Sequence, residues 1–298
     1  MRGADATGAE LLYDRSARTR WRLGFDRWIG WLLPLLFIVA LFPILDLVYY
    51  ISSQALPTMT WKILTSTSPY APGLGVPILT TAEIMGVATS VAVVLGLFGG
   101  IATAEFLGER SAGWVRMAAN MLVGTPSVIL GYMGYFLFCI RFGWGLSFIA
   151  GSFTLAFFMT PYIFRISDLA YSSIPRHIRE AALGSGARPY QYVVKVGAPI
   201  AFPQILNGVF LAMAIGVGET APIVLTTTPS VLLPTSIYSP VTFLTATIWE
   251  NFSQPAGSTS IALAFQAAFL LLIVVVSLNI VVRIISARYQ RRLEGLFQ

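Results

Sequence analysis

One cysteine occurs in 298 residues, Cys139, so neither an internal disulfide nor a multi-cysteine metal site is available. His177 is the only histidine, which removes histidine-cluster chemistry. Charge is also scarce. Asp, Glu, Lys and Arg make up 11% of the chain, against about 25% in soluble globular proteins. No G-x-x-x-x-G-K-[ST] stretch occurs, so the chain has no phosphate loop for a nucleotide. No nucleophile–base set and no metal cluster stands out, which argues against a membrane enzyme. What is plentiful is apolar: 56% hydrophobic residues and a mean hydropathy of +0.75. These values describe an all-α polytopic membrane protein.

A helix crossing about 30 Å of hydrocarbon needs roughly 20 apolar residues. Six stretches meet that length, near 29–51, 82–106, 114–138, 147–168, 200–225 and 260–284. The first is too long for a signal-peptide core and no A-x-A-like cleavage site follows it, so it reads as a retained span. Residues 1–28 are then a polar N-terminal segment, 29–284 a six-span domain and 285–298 a tail.

The basic residues orient this bundle. Arg2, Arg15, Arg18, Arg20, Arg22 and Arg27 precede span one, and Arg110 and Arg116 lie between spans two and three. Arg165, Arg176, Arg179, Arg188 and Lys195 flank or fill the connection between spans four and five. Arg283, Arg288, Arg291 and Arg292 end the chain. Of 19 basic residues, only Lys62 and Arg141 fall in the other three connections. The positive-inside rule places both termini in the cytoplasm. It also explains a pI near 9.6 without invoking nucleic acid.

Two outer connections, "YAPGLGVP" and "TTTPSVLLPTSIYSP", are rich in Pro, Gly, Ser and Thr and nearly uncharged. They read as ordered, suited to lie along the interface or to dock a soluble partner outside. Asp46 and Glu83, at outer helix ends, read as interfacial.

The inner connection at about 172–199 is the most informative segment. Ser173 and Pro175 suit a helix start, and helical residues run to Leu183 before Gly184 and Gly186 interrupt them. A second short helix starts near Pro189, and Pro199 marks the beginning of span five. Composition alone favours an interfacial amphipathic connector. The spacing Glu180-Ala181-Ala182, x3, Gly186, x9, Val196, x, Ala198, Pro199 adds a different reading. It resembles the EAA motif, E-A-A-x3-G-x9-I-x-L-P, of ABC importer membrane subunits, with apolar replacements at two positions. That resemblance implies a type I ABC importer permease-like fold. It also implies a coupling helix in which Glu180, Ala181, Ala182, Gly186 and Ala187 contact an ATPase subunit.

Three more stretches resemble the Pst-type phosphate permeases, on the PstA-like side. They are "NMLVGTPSVILGYMG" at Asn120–Gly134, Gly218-Glu219-Thr220-Ala221-Pro222, and "SPVTFLTATIWENFSQP" at Ser239–Pro255, the last similar to an outer-loop segment of that family. With the EAA loop the resemblance spans about two-thirds of the chain. It implies a substrate pathway or gate formed by Glu219, Thr220, Arg165, Asp168, Thr125 and Ser127.

The residues themselves leave alternatives open. Small polar residues at Thr125 and Ser127, like Thr160 beside Pro161, also serve ordinary helix packing. Arg165 and Asp168 lie three apart on one helix face and can pair, or can anchor the cytoplasmic end. A carboxylate in an apolar span is paired, hydrated, protonated or functional. Glu219 therefore either reaches the outer interface, caps a break near Pro222, or gates. The family usually has Arg four residues earlier, where Ile215 stands here, so an intrahelical Arg–Glu pair is missing.

The resemblance implies uptake of inorganic phosphate by alternating access. It implies no cofactor on this chain, with ATP and Mg on partner ATPases. The implied partners are a PstC-like second permease subunit, two PstB-like ATPases and a PstS-like extracytoplasmic binding protein. The setting is membrane lipid, in a bacterial or archaeal plasma membrane. Other oxyanions (sulfate, molybdate, phosphonate), a homodimer, and a proton-coupled secondary transporter using Glu219 are the alternatives.

Overall fold

Apolar length becomes helix throughout the computed structural model of the chain, which describes residues 5–68, 73–255 and 259–294, with side chains over 30–68, 73–255 and 259–286. The basic side chains before residue 30 and after 286, and Tyr70-Ala71-Pro72 of the first outer connection, lie outside these ranges. The chain forms two units, Met1–Ser53 and Gln54–Gln298. Helix α1 (Asp5–Ala55) fills the first, and its Gly30–Ala55 portion is long and apolar enough to span a membrane. The helix continues without a break through residue 28. The polar N-terminal segment and the first span share one rod.

The second unit holds α2 (Trp61–Thr65), α3 (Gly75–Glu105), α4 (Glu109–Gly124) and α5 (Ser127–Gly134), the last continued by a π-helical stretch, Tyr135–Arg141. Then come α6 (Phe148–Ser172), α7 (Arg176–Gly184), α8 (Pro189–Tyr192), a π turn at Val193–Gly197, and α9 (Ala198–Gly218). Short α10 (Ala221–Thr226) and α11 (Leu244–Phe252) precede α12 (Thr259–Glu294). Among the described residues five helices are long and apolar enough to span, or six if α4 and α5 count as one bent span.

The α3–α6 pair is the spine of this unit. Ala88, Ala92, Gly96 and Gly100 recur every four residues along α3 and are buried against α6. A Cβ on Gly100 would come within 2.6 Å of the Phe164 carbonyl oxygen, so the two backbones touch there. Lipid offers no hydrophobic drive between helices, and close van der Waals approach of small residues supplies association instead. Leu155, Phe158, Met159 and Ile163 of α6 extend this core to Ala212 and Val217 of α9.

Two expected spans differ from single helices, each for a local reason. Span three bends by 102° between α4 and α5. Pro126 has no N–H, and Thr125 before it adopts φ −78°, ψ 131°, the extended conformation that a following proline imposes. Span five ends at Gly218, where Glu219 is extended at φ −72°, ψ 132°, and α10 restarts with Pro222 in its first turn. A proline there would clash with the carbonyl four residues back if the helix continued. By contrast, Pro199, in the first turn of α9, marks no break. The helix runs unbroken from Pro189 to Gly218, because the π turn absorbs the proline: Ala198 N–H bonds back five residues to Val193. The expected second short helix of the connection is therefore the first turn of span five.

The connection after α10 is stitched into the bundle. The N–H groups of Ser147, Phe148 and Ile149 donate to the carbonyls of Thr226, Ser239 and Ile237, satisfying donors that the start of α6 would otherwise leave unpaired. Residues 241–247, expected in an outer loop, are almost completely buried, from 0% exposed at Val241 to 6% at Thr242. This segment re-enters the bundle, and Phe243 joins the main core.

Candidate functional site

Two regions carry the chemistry, one at each end of the continuous α8–α9 helix. At the first, α7 is an amphipathic helix with Ile178 and Ala182 packed on Tyr171, Ile174, Tyr192 and Val193. Glu180, Ala181 and Gly186 are exposed, while Ala182 turns half-inward and Ala187 is half-buried. The EAA-x3-G spacing has a structural cause. Gly186 N–H bonds to Leu183 O at 3.0 Å and Ala187 N–H to Ala182 O at 3.2 Å, with Gly186 at φ +84°. This is a Schellman helix end, which needs a left-handed residue two positions past the last helical one. Gly adopts that conformation without steric cost.

Arg179 fastens α7 to the end of α3. Its Nε lies 3.2 Å from the Glu105 carboxylate, and its Nη2 donates to the Glu105 carbonyl at 3.2 Å. The guanidinium also sits 6.0 Å above the Tyr192 ring of α8. One side chain thus joins the loop helix to two spans. Nothing in the sequence singled out Arg179 for this beyond its position beside the motif.

At the other end of α8–α9 the two helix breaks meet. Ser127, first residue of α5, lies in electrostatic reach of the carboxylate of Glu219, the cap of α9. Just beyond, α5 and α10 lie so close that a Cβ on Gly131 would come within 3.0 Å of Pro222 Cα. The Glu219 main chain is held separately, its carbonyl accepting from Thr245 Oγ1 at 2.7 Å. Tyr162 of α6 lies in electrostatic reach of the same carboxylate. In place of an arginine at position 215, hydroxyl-bearing side chains of α5 and α6 lie near this carboxylate. The three family-like stretches, which are far apart in sequence, converge on this one residue.

Other expected site residues take different places. Thr220 begins α10, and its carbonyl accepts from Val224 N–H. Thr125 is near Ser127 in sequence, but its hydroxyl is engaged by Met121 O at 2.7 Å. Arg165 is exposed on α6 and makes no ion pair among the described residues. Asp168 does not pair with it. Instead Arg116 of α4 reaches Asp168 with Nε to Oδ2 at 2.8 Å and Nη2 to Oδ1 at 2.7 Å, a bidentate bridge across 52 residues of sequence. An intrahelical pair at three-residue spacing is a weak surface interaction, whereas a planar guanidinium matches both carboxylate oxygens of a buried Asp. Arg116 counted in the sequence only as a topology marker. Its place on one face of an amphipathic α4 was the available signal.

A cavity of about 590 Å³ adjoins the re-entrant segment. Thr242, Thr247, Glu250, Asn251, Gln254 and Ser66 contribute its polar wall, and no Lys or Arg is among the described residues that line it.

Comparison with known proteins fits this geometry. Residues 92–294, more than half of the chain, match the family model described as binding-protein-dependent transport system inner membrane component. A phosphate transport system permease protein PstA 2 of Mycobacterium bovis is similar, at 32% identity over 85% of each chain. So is a PstA of Haemophilus influenzae, at 27% identity over 91% of this chain and 97% of that one. Among solved structures, an inward-facing MetNI methionine ABC transporter is similar at a TM-score of 0.59 and 20% identity, covering 72% of this chain and 94% of its own. An amino acid ABC transporter gives a TM-score of 0.54 at 16% identity, over 72% and 92%. Helix order, the loop helix between two spans and the matched stretch of sequence lead to one conclusion: the chain belongs to the inner-membrane permease components of binding-protein-dependent transport systems.

Proposed function

We propose that the chain is the permease subunit of an ATP-driven importer of inorganic phosphate, working by alternating access. The observation that carries this reading is the α8–α9 rod. Its 30 residues, about 45 Å of helix, join the loop helix at one end to Glu219 at the other. Movement of an ATPase seated on α7 would tilt that rod and shift the Glu219 break. Glu180, Ala181 and Gly186 present the surface for the ATPase, with ATP and Mg bound there and not on this chain. The distribution of basic residues supports α7 and both termini in the cytoplasm.

Phosphate, rather than another oxyanion, is supported by the names of the PstA relatives and by the motifs that meet at Glu219. A second permease subunit of PstC-like type is supported by charge. The adjoining cavity offers hydroxyls and amides, and its one charged lining residue among those described is the acidic Glu250, which repels a phosphate anion, so a second chain would supply positive charge there. Arg165, exposed on a spanning helix, faces such a subunit or an aqueous path rather than lipid. Two PstB-like ATPases and a PstS-like binding protein complete the assembly.

The test is labelled-phosphate uptake in cells lacking and then regaining this chain, with sulfate and molybdate as competitors. Uptake is expected to return, to need ATP, to survive loss of the proton gradient and to be unmoved by either competitor. Competition by sulfate or molybdate would replace phosphate as the substrate, and collapse with the proton gradient would point to a secondary carrier. Glu219→Gln keeps the shape and removes the negative charge, so uptake is expected to fall. Normal uptake by that variant across about pH 5 to 8 would show that the charge has no part in transport.

A further inference from the structure

We infer that Thr245 is a positioning residue for Glu219, the fixed point against which the end of α9 moves during transport. Ending a helix strips its last carbonyls of intrahelical partners, and a buried carbonyl must find another donor. For Glu219 that donor is Thr245 Oγ1, at 2.7 Å and 26 residues away in sequence. Thr245 is 3% exposed, so water does not compete for the bond.

The use of this hydroxyl is unusual within the molecule. Thr81, Thr103, Thr125, Thr154, Thr160, Thr226 and Thr227 all donate to the carbonyl four residues back on their own helix. Thr245 lies in the first turn of α11, where its proton is free to go elsewhere, and it goes to the break in span five.

Thr245 is itself anchored to the spine. Thr80 of α3 donates to Thr242 O at 2.7 Å, and Leu244 N–H donates to Thr81 Oγ1 at 2.9 Å. The re-entrant segment is thereby pinned to α3, which packs backbone to backbone on α6. Glu219 is held through its carbonyl from this frame. A tilt of α9 has to work against that contact. Thr245 thus governs where the carboxylate sits without touching substrate.

This inference rests on the proposed importer function, and its test separates the two. Thr245→Val and Thr245→Ser are introduced into the assembled importer in vesicles, alone and together with Glu219→Gln. Thr245→Val removes the donor at nearly constant volume. It is expected to lower the maximal uptake rate about two- to tenfold with a smaller change in KM, while Thr245→Ser restores the rate. In the Glu219→Gln background Thr245→Val is expected to add no further loss, because the two residues act as one unit. A Thr245→Val importer running at the wild-type rate would overturn the inference. So would an equal fractional loss in both backgrounds, the mark of a general packing defect. If Thr245→Val does not assemble, Thr245→Cys, similar in size with a weaker donor, is read in the same cycle. If the wild-type importer does not carry phosphate, the substrate reading fails, and the same cycle is read from ATP turnover of the assembled complex.

Discussion

Arg116→Met is expected to destabilise the protein by about 3 kcal/mol, the largest stability loss from a single polar substitution here. Asp168 is only 6% exposed in its side chain, and both of its carboxylate oxygens are taken by the guanidinium. Removing Arg116 leaves a carboxylate in the helix bundle with only the Ser172 hydroxyl, at 3.5 Å. Breaking a buried pair from one side costs about 3 to 5 kcal/mol, because the remaining charge is left uncompensated. The lower end applies since the Arg116 side chain is 35% exposed and water relieves part of the loss. Thermal unfolding of the purified protein in nanodiscs should show a drop of several degrees. Arg116→Met combined with Asp168→Leu should recover most of it, since neither charge is then buried alone. Arg116→Lys should fall between, because an ammonium cannot match both oxygens. If the single variant melts with the wild type, the bridge contributes nothing to stability. The bridge joins α4, half of the broken span, to α6 of the spine, so its loss should loosen the start of the bend.

Gly186→Val is expected to leave membrane insertion intact while uncoupling ATP hydrolysis from uptake. A Cβ at this position meets nothing within 4 Å, so crowding is not the problem. The backbone is: φ is +84°, where an L-residue pays about 1 to 2 kcal/mol and a β-branched one more. Valine should therefore unwind the Schellman end that sets the angle between α7 and the rod. Gly186→Ala should show a smaller defect, and Gly186→Asn should stay close to wild type, because Asn visits the left-handed region. That order separates a conformational requirement from loss of a small contact surface, which would rank Ala ahead of Asn. ATP turnover and uptake measured in the same vesicles give the coupling ratio directly. Unaltered transport in the valine variant would remove the loop from the coupling mechanism.

Much of this architecture is legible in the order of the amino acids. Hydropathy locates the apolar stretches that become α3, α6, α9 and α12, because a lipid-facing helix is written in consecutive residues. The Gly-Thr-Pro-Ser and Gly-Glu-Thr-Ala-Pro runs hold the two breaks, yet span counting smooths over them. A window of about 20 apolar residues does not register a single proline. A cap at a break near Pro222 is one of the roles that the residues around Glu219 allow, and it is the observed backbone geometry. The "SPVTFLTAT" run, similar to an outer-loop segment, gives no sign in its residues of the burial observed: Thr242, Thr245 and Thr247 each satisfy their hydroxyls inside the bundle.

By itself the sequence determined the class of molecule, its helices and the loop geometry at Gly186. Those depend on local quantities: transfer free energy along a run, a missing proline N–H, a permitted φ. Only the tertiary structure decided who neutralises whom. Asp168 takes Arg116 over its own neighbour Arg165, and the main-chain carbonyl at the Glu219 break takes Thr245. In a low-dielectric bundle each buried polar group must be satisfied, but sequence spacing does not say from which helix. That choice is made where helix faces meet, here by the close approach of α3 to α6 and of α5 to α10.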